Sequence, residues 1–350
     1  MRRAARLVLP LGLAVMAVLA QEPLVITDSL GRQVAVPPAV RRVISLEPEI
    51  TRLIVALGAG ETLVGQDYFL RTHDHLFPVI FPAGRDLPVV SNQGQDLNYE
   101  LAVRLAPDII FASPSEAGMT GSIQNKLRVP VVNLASLGKI ESLLEELRLT
   151  GQIVGRRERA AELERFFRVK VAAVRSSLEN VPTRERPRVY LTFWGSVTRT
   201  PVVYEPVDIA GGINVAAGLV PPALGTPGTT ISAESLLAWD PDIILVHGNY
   251  PASDRPVTVE GILADPRFRS LRAVRERNVH YTFGYWYWWD PAQVLLEIEY
   301  LARLFHPRQF PAFDLEAEGN LIYDKFYGVK DGYTAVAGIL NSHEWLRQAK

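Results

Sequence analysis

The chain has 350 residues, 48% of them hydrophobic, enough to fill two domains of ordinary size. Its formal net charge is −1, from 37 Lys and Arg against 38 Asp and Glu; without Arg2, Arg3 and Arg6 the count is 34 against 38, or −4. That balance excludes the basic surface of a nucleic-acid binder, and the absence of cysteine excludes a disulfide framework and a thiol nucleophile.

Arg2, Arg3 and Arg6 precede an apolar run of 13 residues from Leu7 to Leu19, and Val18-Leu19-Ala20 supplies a small-residue exit. The run is shorter than the ~20 residues of a membrane span, so residues 1–20 read as a cleavable secretory signal. No cysteine follows it to take a lipid, and the mature chain is expected to be soluble and periplasmic.

Val25-Ile26-Thr27 and Gln33-Val34-Ala35-Val36 flank a Gly-containing turn and predict a hairpin. Arg42–Leu46 predicts a strand, followed by a helix within 50–60. Residues 97–111 (LNYELAVRLAPDIIF) then introduce a cassette that returns 134 residues later as 231–245 (ISAESLLAWDPDIIL). In each copy a Glu (Glu100, Glu234) stands seven residues before a Pro (Pro107, Pro241), and Asp-Ile-Ile follows. Proline lacks an N–H and restricts its predecessor, so it ends the helix, and the apolar run after it predicts a buried strand. The flanking pieces repeat in the same order: Arg42–Leu46 with Arg188–Thr192, 50–60 with 207–218, and 125–134 with 274–283.

Between the copies, 140–154 and 157–180 carry apolar stripes at helical spacing, the second long enough to span roughly 36 Å. Strands alternating with helices predict an α/β fold. The expected fold is two similar α/β lobes with mostly parallel central sheets, joined by a long backbone helix, with a ligand cleft between them. The expected boundaries are 21–138 for the first lobe, 139–182 for the helical linker, 183–310 for the second lobe and 311–350 for a helical tail packed on it.

Open α/β lobes bind ligands beyond the carboxyl ends of their strands. That rule nominates Glu47, Tyr68, Arg71 and Ser113 in the first lobe, and Trp194, Tyr250, Trp286 and Trp288 in the second. The last two belong to a run of five aromatics, 285–289, before Asp290 and Pro291, which fit the cap and first position of a helix. Aromatic walls suit large or chelated ligands, and Arg71 and Arg199 suit carboxylates. His73-x-His75 and His247 are candidate metal contacts. His280 reads as internal to a strand, and His306 and His343 read as surface residues at helix ends.

Taken in order, VITDSLGRQVAVP, RVISLEPEIT, ALGAGETLVG, the two cassettes, GQIVGRRERAAEL and YWYWWDPAQVLLEIEYLARLFHPRQF resemble the helix-hinged periplasmic binding proteins of ABC importers for iron chelates, haem and cobalamin. The resemblance implies capture of a metal chelate, iron(III)-siderophore foremost, by a monomer with no covalent cofactor, and its delivery to a permease dimer driven by an ATPase. It also implies that Glu100 and Glu234, one on each lobe, pair with permease arginines. Cobalamin, haem, a nickel chelate or a molybdate or tungstate oxyanion are alternative cargoes. An exported metal-dependent α/β enzyme and a free zinc or manganese binder are the competing classes. The chain has no Gly-x-Ser-x-Gly, Walker loop or His-Glu-x-x-His, so it reads as a carrier and not an enzyme.

Overall fold

The computed structural model describes residues 24–346 apart from 93–95, 114–116, 137, 194, 221–227, 251–254 and 285–288; the leader at 1–20 lies outside the described residues. The chain opens with an antiparallel hairpin, β1 (Leu24–Thr27) and β2 (Gln33–Val36), turning where Asp28 accepts from the N–H groups of Leu30 and Arg32.

The first lobe follows: β3 (Val43–Ser45), α1 (Pro48–Ala56), β4 (Leu63–Asp67), α2 (Tyr68–Thr72), α3 (Phe77–Ile80), β5 (Val89–Asn92), β6 (Asp96–Leu97), α4 (Tyr99–Leu105), β7 (Ile109–Ala112), α5 (Ala117–Leu127) and β8 (Val131–Asn133). Its sheet has the order β6-β5-β4-β3-β7-β8, parallel except for the β5–β6 pair. Alternation along β7 explains why the sheet is covered on both faces: Ile109 and Phe111 belong to one apolar cluster, and Ile110 and Ala112 to another.

Two helices link the lobes, α6 (Ile140–Ile153) and α7 (Arg157–Ser177). At 21 residues α7 is about 32 Å long. Ala160, Leu163, Phe167, Val171 and Val174 form its buried stripe.

The second lobe contains β9 (Arg188–Leu191), β10 (Arg199–Thr200), α8 (Glu205–Ile209), β11 (Ile213–Asn214), β12 (Thr229–Thr230), α9 (Ala233–Trp239), β13 (Ile243–His247), α10 (Val259–Ala264), α11 (Arg272–Arg275), β14 (Val279–Thr282) and α12 (Pro291–Phe305). Its main sheet, β11-β9-β13-β14, is wholly parallel, and β10 pairs with β12 beside it.

The repeated cassettes fold alike. Asn98 and Ser232 cap α4 and α9, accepting from the N–H three residues on. Both helices end on a left-handed non-glycine residue before the proline, Ala106 (φ 42°) and Asp240 (φ 41°). A residue before proline is barred from the helical region, and the left-handed turn aims the chain into the strand.

The tail, α13 (Leu315–Tyr327) and α14 (Gly332–Leu340), packs on α12 and also reaches the rest of the molecule. Lys325 pairs with Glu162 on α7, and Tyr327 donates to Asp290 at 2.6 Å. α13 also touches α1, and α14 touches α3. One apolar cluster runs from Ile26 through the linker stripe to Trp345, so both lobes and the tail share a core.

His306 departs from its surface expectation. It caps the end of α12 but is buried, its Nε2 lying 3.1 Å from the Gly211 carbonyl oxygen. Gly211 sits at φ 81°, and a Cβ there would lie 2.6 Å from Nε2, so the bare turn makes the room for the ring.

Candidate functional site between the lobes

Parallel strands aim all their carboxyl ends one way, and the contacts beyond those ends show how the two crowns meet. Trp289, past β14, donates from Nε1 to Ser136 Oγ, past β8, at 2.9 Å. Arg52 on α1 donates from Nε to Asp290 Oδ2 at 2.8 Å and from its terminal nitrogen to Asp74. Asp74 accepts from the Leu76 and Phe77 N–H groups at the start of α3, and Asp290 caps α12 through Ala292 and Gln293. One fully buried arginine thus ties two helix starts on opposite sides of the cleft. Burial opposes its charge, but the two aspartates more than offset that and hold it protonated well above the usual arginine range.

The nominated first-lobe residues lie on this crown. Glu47 caps α1 and is buried. Tyr68 opens α2 immediately after β4 and keeps 37% of its surface exposed. Asp67 fixes that turn by accepting from Phe69 N–H at 2.6 Å and Ser91 Oγ at 2.7 Å. Arg71 is exposed and donates to the Arg85 carbonyl. Ser113 is buried, and its carbonyl accepts from Asn133 Nδ2 at 2.8 Å.

In the second lobe His247 ends β13, with the Tyr250 ring 5.4 Å away. Burial drives the imidazole down to about 3, so it is neutral, and pushes the Tyr250 phenol up to about 12. Gly284 lies against the imidazole at φ 101°; a Cβ there would fall 2.1 Å from Nε2. Arg199 lies over the Phe193 ring, 5.5 Å from its centroid. Trp194, Trp286 and Trp288 lie outside the described residues.

The histidines do not come together. His73 is exposed against the Tyr68 and Phe69 rings, and His75 is half-buried, with Asp74 between them committed to Arg52 and the start of α3. Among the described residues no group of three or more His, Asp or Glu is arranged to hold a metal ion. Glu100 and Glu234 are exposed at matching second positions of α4 and α9.

Sequence reasoning passed over the residues that join the crowns. These are Arg52 and Glu146 on α6; Glu49, in the first turn of α1, belongs to the loop 47–49 that the strand-end rule nominates, and both glutamates are buried. Glu146 accepts from Ser136 Oγ at 2.8 Å, completing a path from Trp289 through Ser136 to the linker. Burial raises Glu49 to about 7, partly offset by its own backbone N–H, Arg52 and Glu47, with Asp290 adding to the rise. Burial raises Glu146 well above the usual carboxylate range, with Ser136 opposing and Glu49 adding. The signal in the sequence was a charged residue inside an apolar run, Arg52 in ITRLIVAL.

Two α/β lobes that meet by their strand-end crowns and are joined by a helical rod define a ligand-clasping binding protein. Residues 43–283 match the family described as periplasmic binding protein, and the chain belongs to that family, in its helix-hinged class that serves ABC importers. The chain is 24% identical over 338 residues to the molybdate-binding protein MolA of Haemophilus influenzae, covering 87% of this chain and 90% of that one. The solved structure of MolA with molybdate superposes with a TM-score of 0.72 at 22% identity, covering 87% of this chain and 98% of MolA. Helicobacter pylori CeuE with Ni(II) bound gives 0.72 at 16% identity, covering 91% and 99%. The periplasmic haem-binding protein BhuT with two haems gives 0.58 at 23%, covering 77% and 98%. Among the described residues no helix is long and apolar enough to cross a membrane.

Proposed function

We propose that this protein captures a tetrahedral oxyanion, molybdate or tungstate, in the periplasm and hands it to an ABC permease with its ATPase. The observation that carries this reading is the similarity to MolA along 87% of the chain, a protein that binds molybdate. The described crown agrees in kind. Asn249, two residues past β13, is only 1% exposed, and among the described residues neither end of its amide has a hydrogen-bond partner. An unpartnered buried amide is costly until something bonds to it, and its NH2 group suits an anionic oxygen. The neutral His247 nearby adds no charge of its own.

A metal chelate, an iron(III)-siderophore first, is the second reading, with cobalamin, haem and nickel chelates behind it. The exposed Tyr68 ring at the end of β4 favours it, as a surface on which a large ligand stacks. Delivery would use Glu100 and Glu234 against arginines of the permease dimer, a contact that orients the encounter more than it adds affinity. The leader at 1–20 would be cleaved on export, leaving a soluble monomer without a lipid.

Calorimetric titration of the purified chain with molybdate, tungstate, sulfate and a ferric siderophore tests the choice. The expected result is one-to-one binding of molybdate and tungstate without turnover. Binding of the ferric chelate alone, with a charge-transfer band, replaces the oxyanion by the second reading, and chemical conversion of any of them replaces the carrier by an enzyme.

A further inference from the structure

The seam between the crowns holds one cation among several carboxyls. From α1 and its cap it receives Glu49, Arg52 and Glu47; from α6, Glu146; from the start of α12, Asp290; and from the loop before α3, Asp74. The phenol of Tyr327 on α13 covers Asp290, and Tyr323 of the same helix is buried beside it. Among the described residues Arg52 is the one basic side chain bonded into the seam, and two aspartates already share it. Among the described residues, Glu49 Oε2 and Glu146 Oε1 are buried with no hydrogen-bond partner. Two further anions in such a place would be strongly disfavoured, and a carboxyl so placed takes up a proton instead. A surface hollow of about 510 Å³, lined by Ser29, Ala135 and Glu145, ends on Glu146 and gives that proton a way in.

We propose that Glu49 and Glu146 are positioning residues that form a proton-held joint between the lobes. Protonated, they let Ser136 and Trp289 close the path across the cleft; ionised, they repel each other and Asp290 and loosen it. The joint lies at the seam of the cleft, so its state sets how firmly the lobes grip cargo. That consequence rests on the cleft being the cargo site, whereas the joint itself does not.

The sign follows from the direction of the shifts. A carboxyl raised in the folded state contributes fully below its unfolded value near 4.5, and the contribution is lost as pH climbs to about 7 for Glu49 and beyond for Glu146. Glu297 and Glu299 are raised to about 7 as well, and the buried His247 and His280 are lowered, so the wild-type profile mixes several groups. The comparison of wild type with Glu49→Gln/Glu146→Gln isolates the joint, because Gln copies the protonated shape and all other groups stay.

The experiment is thermal unfolding of the cargo-free protein at pH 6 and pH 8. The double variant is expected to gain about 5 °C on wild type between the two pH values. An offset that is the same at both would mean a structural role only and overturns the proposal. The single variants Glu49→Gln and Glu146→Gln repeat the test if the double one does not fold. Should neither fold, carboxyl carbon NMR of glutamate-labelled wild type decides through the assigned side-chain signals of Glu49 and Glu146, which separates them from Glu297 and Glu299: titration of these two at or above neutrality upholds the joint, and titration of both below pH 6 sinks it. With molybdate as probe, wild type should bind about fivefold more weakly at pH 8 than at pH 6, and the double variant equally at both. Equal loss of affinity in both proteins overturns the link between joint and grip, whereas no molybdate binding at any pH refutes the oxyanion reading and leaves the unfolding test intact.

Discussion

At the amino ends of their strands the two lobes are wired almost identically; at the carboxyl ends they are not. In the first lobe Asp108 accepts from the backbone N–H groups of Arg41 and Arg42, while the Arg42 guanidinium donates to the Leu105 carbonyl at 2.6 Å. In the second, Asp242 accepts from Arg188 N–H, and the Arg188 guanidinium reaches the Trp239 carbonyl at 2.7 Å. Even the left-handed residues match, with Arg128 and Arg277 both at φ 57°. At the crowns the polar work is divided differently. The first lobe uses side chains from its own strands, Asp67 with Ser91 and Asn133 with the Ser113 carbonyl. The second uses a glutamate from α12: Glu297 accepts from Thr282 Oγ1, from Phe283 N–H at 2.8 Å and from Tyr204 OH at 3.0 Å. The shared base is what makes each half fold as an α/β unit, and the two halves differ at their crowns.

The contrast predicts that substitutions cost most where the crowns join and least at the outer surface. Arg52→Leu is the severest change, because it strands Asp74 and Asp290 as buried anions; a loss of about 3–5 kcal/mol is expected in urea unfolding. A loss under about 1 kcal/mol would mean that the lobes are not held at this seam. Gly284→Ala comes next. It forces a Cβ into the His247 ring at a positive φ, and about 2–4 kcal/mol is expected.

At the base, Asp108→Ala removes bonds to two backbone N–H groups, and Asp242→Ala removes one such bond together with the Arg272 ion pair; each should cost about 1–3 kcal/mol. The two values should agree within about 1 kcal/mol, and a wider gap breaks the equivalence of the lobes. Glu100→Ala and Glu234→Ala should leave the unfolding midpoint and cargo affinity alone. They should nonetheless reduce uptake by cells, each alone and both together; unchanged uptake in the double variant removes the docking role.

The parts of this fold that could be read from the sequence are those fixed by neighbours in the chain. Pro107 and Pro241 end helices whatever surrounds them, and Asp290 with Pro291 starts α12 as expected. The apolar stripe of α7 was visible because helical spacing alone defines it. The seam was not visible, because its partners lie 22 and 238 residues from Arg52 along the chain. Glu49 and Glu146 each resemble an ordinary helix charge until both are found out of water. His73 and His75 show the reverse: a spacing that suits a metal is used here to flank Asp74, which answers to Arg52. The cargo was not legible for a different reason. On the proposed reading it depends on which groups the crown leaves unsatisfied, as at Asn249, and no local pattern reports that.

The apolar cluster that passes from one lobe through α7 to the other has a thermodynamic consequence. If one half melted alone, the stripe of α7 would be stripped bare on that side. Heating should therefore produce a single cooperative endotherm, with calorimetric and van't Hoff enthalpies in agreement.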